Sequence, residues 1–370
     1  MKVEEIWNFK YIEPILGIEL GDINNNGEIE IIAYTRAGTL LFLSLNGKQM
    51  HQEIISKNAP IWYIKLYDID NDGNNEIIIG GMDGILRIFK CNSNYDLILL
   101  WDHKFNASIS GILINDIDHN NISELIVYSL DKTIRVLNPR DGNLIWGQVF
   151  EDGVGDAIVY TDDKKIILAC GNDGTIRVFN SIDGKLLWFK RFSNKIRCVS
   201  YLNSIRGCII LCGGDDKKLH FIDKNTKKEI NTYEFKDYVW KCVSYPFPKF
   251  NKALVSSYSF AHFNQSIPIE KINYTSNLIC LNDSIGILWE LKGYNFEVLR
   301  VIVINDKILI FAGTTNGNLM IIEEKSGRIL FNQKKKSCIN MIQFLIENKF
   351  LFCCHDDGTI SAYKLGNMSP

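Results

Sequence analysis

Residues 170–188 read CGNDGTIRVFNSIDGKLLW. An Asp-Gly turn at Asp173-Gly174 leads into an alternating apolar run. A second Asp-Gly turn, Asp183-Gly184, reverses the chain into a run ending at Trp188. Asp-Gly between β-branched residues is the strongest local hairpin signal, because a positive φ is cheap for Gly and tolerable for Asn or Asp. The pattern repeats on both sides. Residues 33–48 read AYTRAGTLLFLSLNGK, 80–90 GGMDGILRIFK, and 128–146 YSLDKTIRVLNPRDGNLIW. Further on come 212–230 CGGDDKKLHFIDKNTKKEI, 312–331 AGTTNGNLMIIEEKSGRILF, and 354–365 CHDDGTISAYKL. The turn position falls at Gly38, Gly84, Lys132, Gly174, Lys217, Gly317 and Gly358, about 40 to 48 residues apart except for one gap of 100. That gap holds a degenerate unit, YVWKCVSY, KALVSSYS, NLICLND and GILWEL, which brings the units to eight.

Each unit carries four strand-like runs, and four strands per 40 to 45 residues, repeated, is the signature of a propeller. No segment of 10–15 residues has helical periodicity, so a parallel βαβ arrangement fails. The expectation is an all-β, eight-bladed β-propeller forming one domain over residues 1–370; seven blades with one irregular insertion is the alternative. The last unit ends after its third strand, TISAYKL. The N-terminus supplies the fourth. Trp7…Tyr11 repeats a Trp-x3-aromatic spacing found at Trp101…Phe105, Trp146…Phe150 and Trp188…Phe192. Residues near 3–11 should therefore pair with residues near 359–365 and remove two open edges.

A formal net charge of −2 provides no field for nucleic acid. Glu4 and Glu5 stand where a signal peptide needs apolar residues, and no apolar stretch is long enough for a membrane span. The expected location is cytoplasmic. The ten cysteines fit as reduced thiols in apolar runs, without the paired spacing of a zinc site.

Three consecutive units share an acidic loop between their first and second strands. The first contains Asp22, Asn24, Asn26 and Glu30, the second Asp68, Asp70, Asp72 and Glu76, and the third Asp116, Asp118, Asn120 and Glu124. Oxygen side chains at positions 1, 3 and 5 converge when the chain turns sharply at position 6, where Gly27, Gly73 and Asn121 stand. A Glu at position 9 closes the shell, and hard oxygen ligands in a flexible loop suit a structural Ca²⁺. The competing reading is that Asp, Asn and Gly simply make good turns.

These loops resemble the FG-GAP repeats of integrin α-type propellers and of cytosolic relatives such as the BBSome-subunit propellers and the FG-GAP proteins of nutrient-signalling complexes. The resemblance spans roughly residues 15–135 and lacks the Phe-Gly/Gly-Ala-Pro signature itself. Later units look like WD40 repeats (GNDGTIRVFN) or quinoprotein repeats (IDGKLLW). The quinoprotein likeness implies the alternative function, an enzyme using the central channel, but Trp101, Trp146, Trp188 and Trp289 are explained by docking one blade on the next. No nucleophile elbow, P-loop or HExxH motif occurs, and the six histidines are scattered.

The repeat breaks once, at residues 259–276, SFAHFNQSIPIEKINYTS, between the second and third strands of unit six. Long loops on a rigid scaffold are usually functional or disordered. Phe260, Phe263, Ile267 and Tyr274 make this one a candidate partner-binding element. The function expected is a non-enzymatic scaffold presenting its loops to a protein partner, as a part of a multi-subunit complex would.

Overall fold

The structure is a computed structural model that describes residues 2–161, 164–205, 207–244, 252–263, 272–304 and 306–366. Its strands fall into eight antiparallel sheets of four, seven of them following chain order from inner to outer strand. Blades one to eight span residues 15–54, 61–104, 109–149, 154–191, 196–234, 238–292, 296–334 and 339–365. The N-terminal strand Val3–Lys10 completes blade eight, pairing from Val3↔Leu365 to Lys10↔Thr359. The ring is therefore the eight-bladed propeller expected, closed as expected.

Its core is not central. The buried side chains form separate clusters, each joining two neighbouring blades: Ile134, Trp146 and Phe150 with Ile167 and Phe179, for example, between blades three and four. Alternating strand faces put apolar residues on both sides of each sheet, so every blade is buried against the next.

Two devices hold the blades in place. At the second-to-third-strand turn, the carbonyl of a residue with positive φ accepts the N–H arriving from the end of the same blade's outer strand. Such pairs include Phe105 N–H to Gly84 O (2.7 Å), Phe192 N–H to Gly174 O (2.8 Å) and Tyr11 N–H to Gly358 O (2.8 Å). Lysine fills this position twice, at Lys132 (φ +74°) and Lys217 (φ +64°). A left-handed conformation costs a β-carbon about 1–2 kcal/mol, while glycine adds unfolded-state entropy of roughly 0.5–1 kcal/mol. Lys217→Gly should thus stabilise the protein by about 0.5 kcal/mol, read as a small rise in thermal midpoint; a fall would contradict the strain argument.

The second device is the docking of tryptophans. Trp101, Trp146 and Trp289 each donate their indole N–H to a carbonyl of the next blade's third-to-fourth-strand turn: Pro139 (2.9 Å), Ser181 (2.8 Å) and Glu324 (2.6 Å). Each ring lies on a glycine of that turn, Gly142, Gly184 or Gly327, where a β-carbon would come within 2.5–2.6 Å of it. Just before the tryptophan position, every outer strand bulges by one residue: Ile6, Met50, Leu100, Ile145, Leu187, Ile230, Leu288 and Leu330. A bulge twists an open edge away from templated pairing, so these apolar perimeter residues belong to edge protection.

Candidate functional sites on the two faces of the ring

Strand alternation sends the first-to-second-strand loops to one face and the second-to-third-strand loops to the other. The three acidic loops share the first face and are built alike. Asp22, Asp68 and Asp116 each accept the N–H groups of positions 5 and 6, as in Asp72 N–H to Asp68 Oδ1 (3.1 Å) and Gly73 N–H to Asp68 Oδ2 (2.8 Å). The position-3 side chains of Asn24, Asp70 and Asp118 accept the position-5 N–H at 3.1–3.2 Å. Positions 4 and 6 are left-handed in all three loops, including His119 (φ +66°) and Asn121 (φ +66°). The asparagine therefore does what the glycine does in the other two.

The position-9 carboxylates anchor the loops from below. Glu30, Glu76 and Glu124 are buried, and Oε2 of each accepts the N–H of the position-2 isoleucine at 2.9–3.0 Å. Burial pushes all three carboxyls above their ordinary pKa. What meets the remaining oxygen differs. In loop one, Glu30 Oε1 takes Tyr95 Oη–H (3.3 Å) and the Asn26 amide (3.4 Å). In loop two, the Lys90 ammonium binds Asp72 and stands 3.9 Å from Glu76 Oε1, which has no hydrogen-bond partner. The lysine lowers the pKa of Asp72 in return.

Ligand atoms of Asp68, Asp70 and Glu76 lie within 4.8 Å of one another, as do those of Asp116, Asp118 and Glu124. The second and third loops thus bring together oxygens that could hold a hard cation, with Lys90 competing in the second. Loop one, with Asn24, Asn26 and an already bonded Glu30, fits such an ion least.

The described ends of the insertion, at Ser259 and Ser276, stand on the opposite face, between the second and third strands of blade six. Phe260 begins a 3-10 turn, Phe260–Phe263, and Tyr274 is buried at 6% exposure; Ile267 lies outside the described residues. Phe260 meets Trp240 edge-on (5.5 Å, 84°) and Tyr258 (5.4 Å, 63°), while Trp240 and Tyr258 stack at 4.9 Å. The Arg197 guanidinium lies 5.0 Å from the Trp240 ring and 5.6 Å from that of Phe260, fixed by both oxygens of Asp215. Trp240, Tyr258 and Phe260 form an aromatic wall of a cleft of about 720 Å³ that Arg36, Lys336 and Asp356 also line.

Sequence reasoning named Phe260 of this wall and missed Trp240 and Tyr258. The wall's signal is Trp240, which sits on an inner strand (Tyr238–Ser244), unlike the outer-strand tryptophans that dock blades. Lys90 was missed as well: it sits on the third strand of blade two (Ile85–Cys91), 18 residues from Asp72, and only the folded sheet brings them together.

Comparison with known proteins adds two family matches. Residues 55–144, covering most of blades two and three, match the family described as KICSTOR complex protein kaptin; residues 151–180 match the WD domain, G-beta repeat. The chain's fold is similar to that of the computationally designed Ika8 protein (TM-score 0.71, 14% identity, 98% of this chain and 100% of that one). It is also similar to Sqt1 of Saccharomyces cerevisiae (0.73, 10%, 99% and 100%) and to BamB of Moraxella catarrhalis (0.66, 15%, 100% and 100%). At these identities the likeness concerns the fold. No curated protein matches the sequence.

Proposed function

We propose that the ring is a non-enzymatic scaffold of a cytoplasmic multi-subunit assembly, and that its working surface is the face bearing the blade-six insertion. The observation that carries this reading is the aromatic-walled cleft of Trp240, Tyr258 and Phe260, built where the repeat is broken. Apolar aromatic surface beside charged groups is the composition of protein-contact hot spots. The partial match to a family described as a complex protein supports the same reading. Purification from native lysate tests it. The scaffold reading expects a stoichiometric protein partner; a bound small cofactor with visible absorbance and no protein partner would favour catalysis in the channel instead.

The acidic loops we assign a structural part, as FG-GAP-type turns that hold Ca²⁺ weakly through Asp68, Asp70 and Glu76 and through Asp116, Asp118 and Glu124. Their preformed hydrogen bonds keep the shape without an ion. Lys90→Met removes the ammonium beside Glu76 and should tighten Ca²⁺ binding by about tenfold, or ~1.4 kcal/mol, in calorimetry. No heat at millimolar Ca²⁺ in either protein would end the ligation idea.

A further inference from the structure

The inner strands crowd together around the axis. Val199 N–H of blade five reaches Asp156 Oδ2 of blade four (3.0 Å), and Ser244 N–H of blade six reaches Ser200 Oγ of blade five (3.1 Å). In this crowded layer two thiols from different blades meet. Cys198, on Ile196–Ser204, and Cys242, on Tyr238–Ser244, have their sulfurs 3.1 Å apart. That is closer than two sulfurs rest in ordinary non-bonded contact. The Cys198 thiol also faces the Gly213 carbonyl at 3.8 Å. Both cysteines belong to the apolar cluster between blades five and six, with Cys198 at 2% exposure and Cys242 half-buried.

We propose that Cys198 and Cys242 are an oxidisable pair that peroxide converts to a disulfide stapling blade five to blade six. Hydrogen peroxide is little larger than water, and of the two residues Cys242 is the less buried, so it is the one that would be attacked first. Its thiolate attacks one peroxide oxygen; the S–O bond forms, the O–O bond breaks, and the departing hydroxide is protonated to water. The Cys198 sulfur then attacks the sulfenic sulfur of Cys242. The S–S bond forms, the S–O bond breaks, and a second water leaves with the Cys198 proton. Two thiols lose two electrons in all, and one peroxide becomes two waters. Burial holds the Cys242 thiol well above its ordinary pKa, so little thiolate exists at neutral pH, and the reaction should accelerate as pH rises. The bond would close 44 residues of chain and tie down the blade that carries the insertion. This inference stands independently of the scaffold reading.

The sequence makes the test clean. Trypsin cuts after Arg197 and Lys241, giving CVSYLNSIR and CVSYPFPK, each with its cysteine first and no other. The reduced full chain is treated with hydrogen peroxide, unfolded, alkylated and digested without reductant. The expected product is these two peptides joined, two hydrogens lighter than their sum, formed ahead of any other cysteine pair and faster at higher pH. The oxidised protein should also melt several degrees higher, and Cys242→Ala should show no such rise. Two alkylated, unlinked peptides, or linkage of either one to Cys212 or Cys208 instead, would overturn the proposal. The wild-type peptide map decides this even if the variant does not fold.

Discussion

Deleting residues 1–12 should leave a chain that no longer melts cooperatively and that aggregates on purification. The strand Val3–Lys10 contacts three blades at once. It pairs along the last strand of blade eight from Val3 to Lys10. Trp7 reaches forward to blade one, donating to Leu45 O (2.9 Å) over Gly47. Glu5 reaches back to blade seven, where it meets Lys335 Nζ (2.8 Å) and the Gln333 amide (3.2 Å). That ion pair helps hold the Glu5 carboxyl below its ordinary pKa against the opposing effect of burial. Each net hydrogen bond contributes on the order of 1 kcal/mol, and the burial of Trp7 and Phe9 adds more. Together these are a large share of the roughly 5–15 kcal/mol that holds a typical protein folded. The truncation also bares Thr359–Leu365 as an open apolar edge. A truncated chain that stayed monomeric with an unchanged thermal midpoint would show that the ring does not depend on this closure.

Trp146→Ala should be the most damaging single substitution among the docking tryptophans. Trp146 is 8% exposed, packs at 6.2 Å on Phe179 of blade four, and gives its indole N–H to Ser181 O at 2.8 Å. Removing a buried tryptophan costs about 3–5 kcal/mol, which in a chain of this size corresponds to a fall in thermal midpoint of roughly 4–6 °C. Gly184→Ala attacks the same contact from the other side. Its β-carbon would lie 2.5 Å from the indole, on a residue with φ +67°. It too should lower the midpoint, by less than the tryptophan loss. If both variants melt like the wild type, the blades are held by something other than this joint.

The ring is legible in the sequence because its punctuation is chemical. A turn that needs positive φ recruits Gly or Asp-Gly, and the recurrence of that turn counts the blades. Even the lysines that break the rule, Lys132 and Lys217, fall where spacing places them and adopt the conformation the position demands. The N-terminal closure is legible for a similar reason, since Trp7 has to sit on a turn as its counterparts do. In the acidic loops Asn121 takes the left-handed turn that the spacing asks of position 6, whereas the anchoring of each loop by its buried Glu to the position-2 N–H was not legible.

What pattern could not supply is contact between distant strands. Lys90 beside Asp72, Arg197 under Trp240 and Cys198 against Cys242 join residues 18, 43 and 44 positions apart. Neither periodicity nor composition encodes those meetings, because the first depends on how a loop folds back over its own sheet and the other two on how blade six sits against blade five. Tyr274 illustrates the same limit. An apolar side chain in a long loop reads as surface available to a partner, whereas the structure buries it at 6% exposure.

The most direct test of the scaffold account compares the two faces. A tagged wild-type chain, a chain lacking residues 260–275, and the variant Asp68→Asn/Asp70→Asn are each used to capture the partner identified from native lysate. All three should fold, as checked by melting. Deletion of the insertion should abolish capture, and the acidic-loop variant should capture as the wild type does. Capture that survives the deletion but is lost with the loop carboxylates would contradict the account and move the working surface to the opposite face.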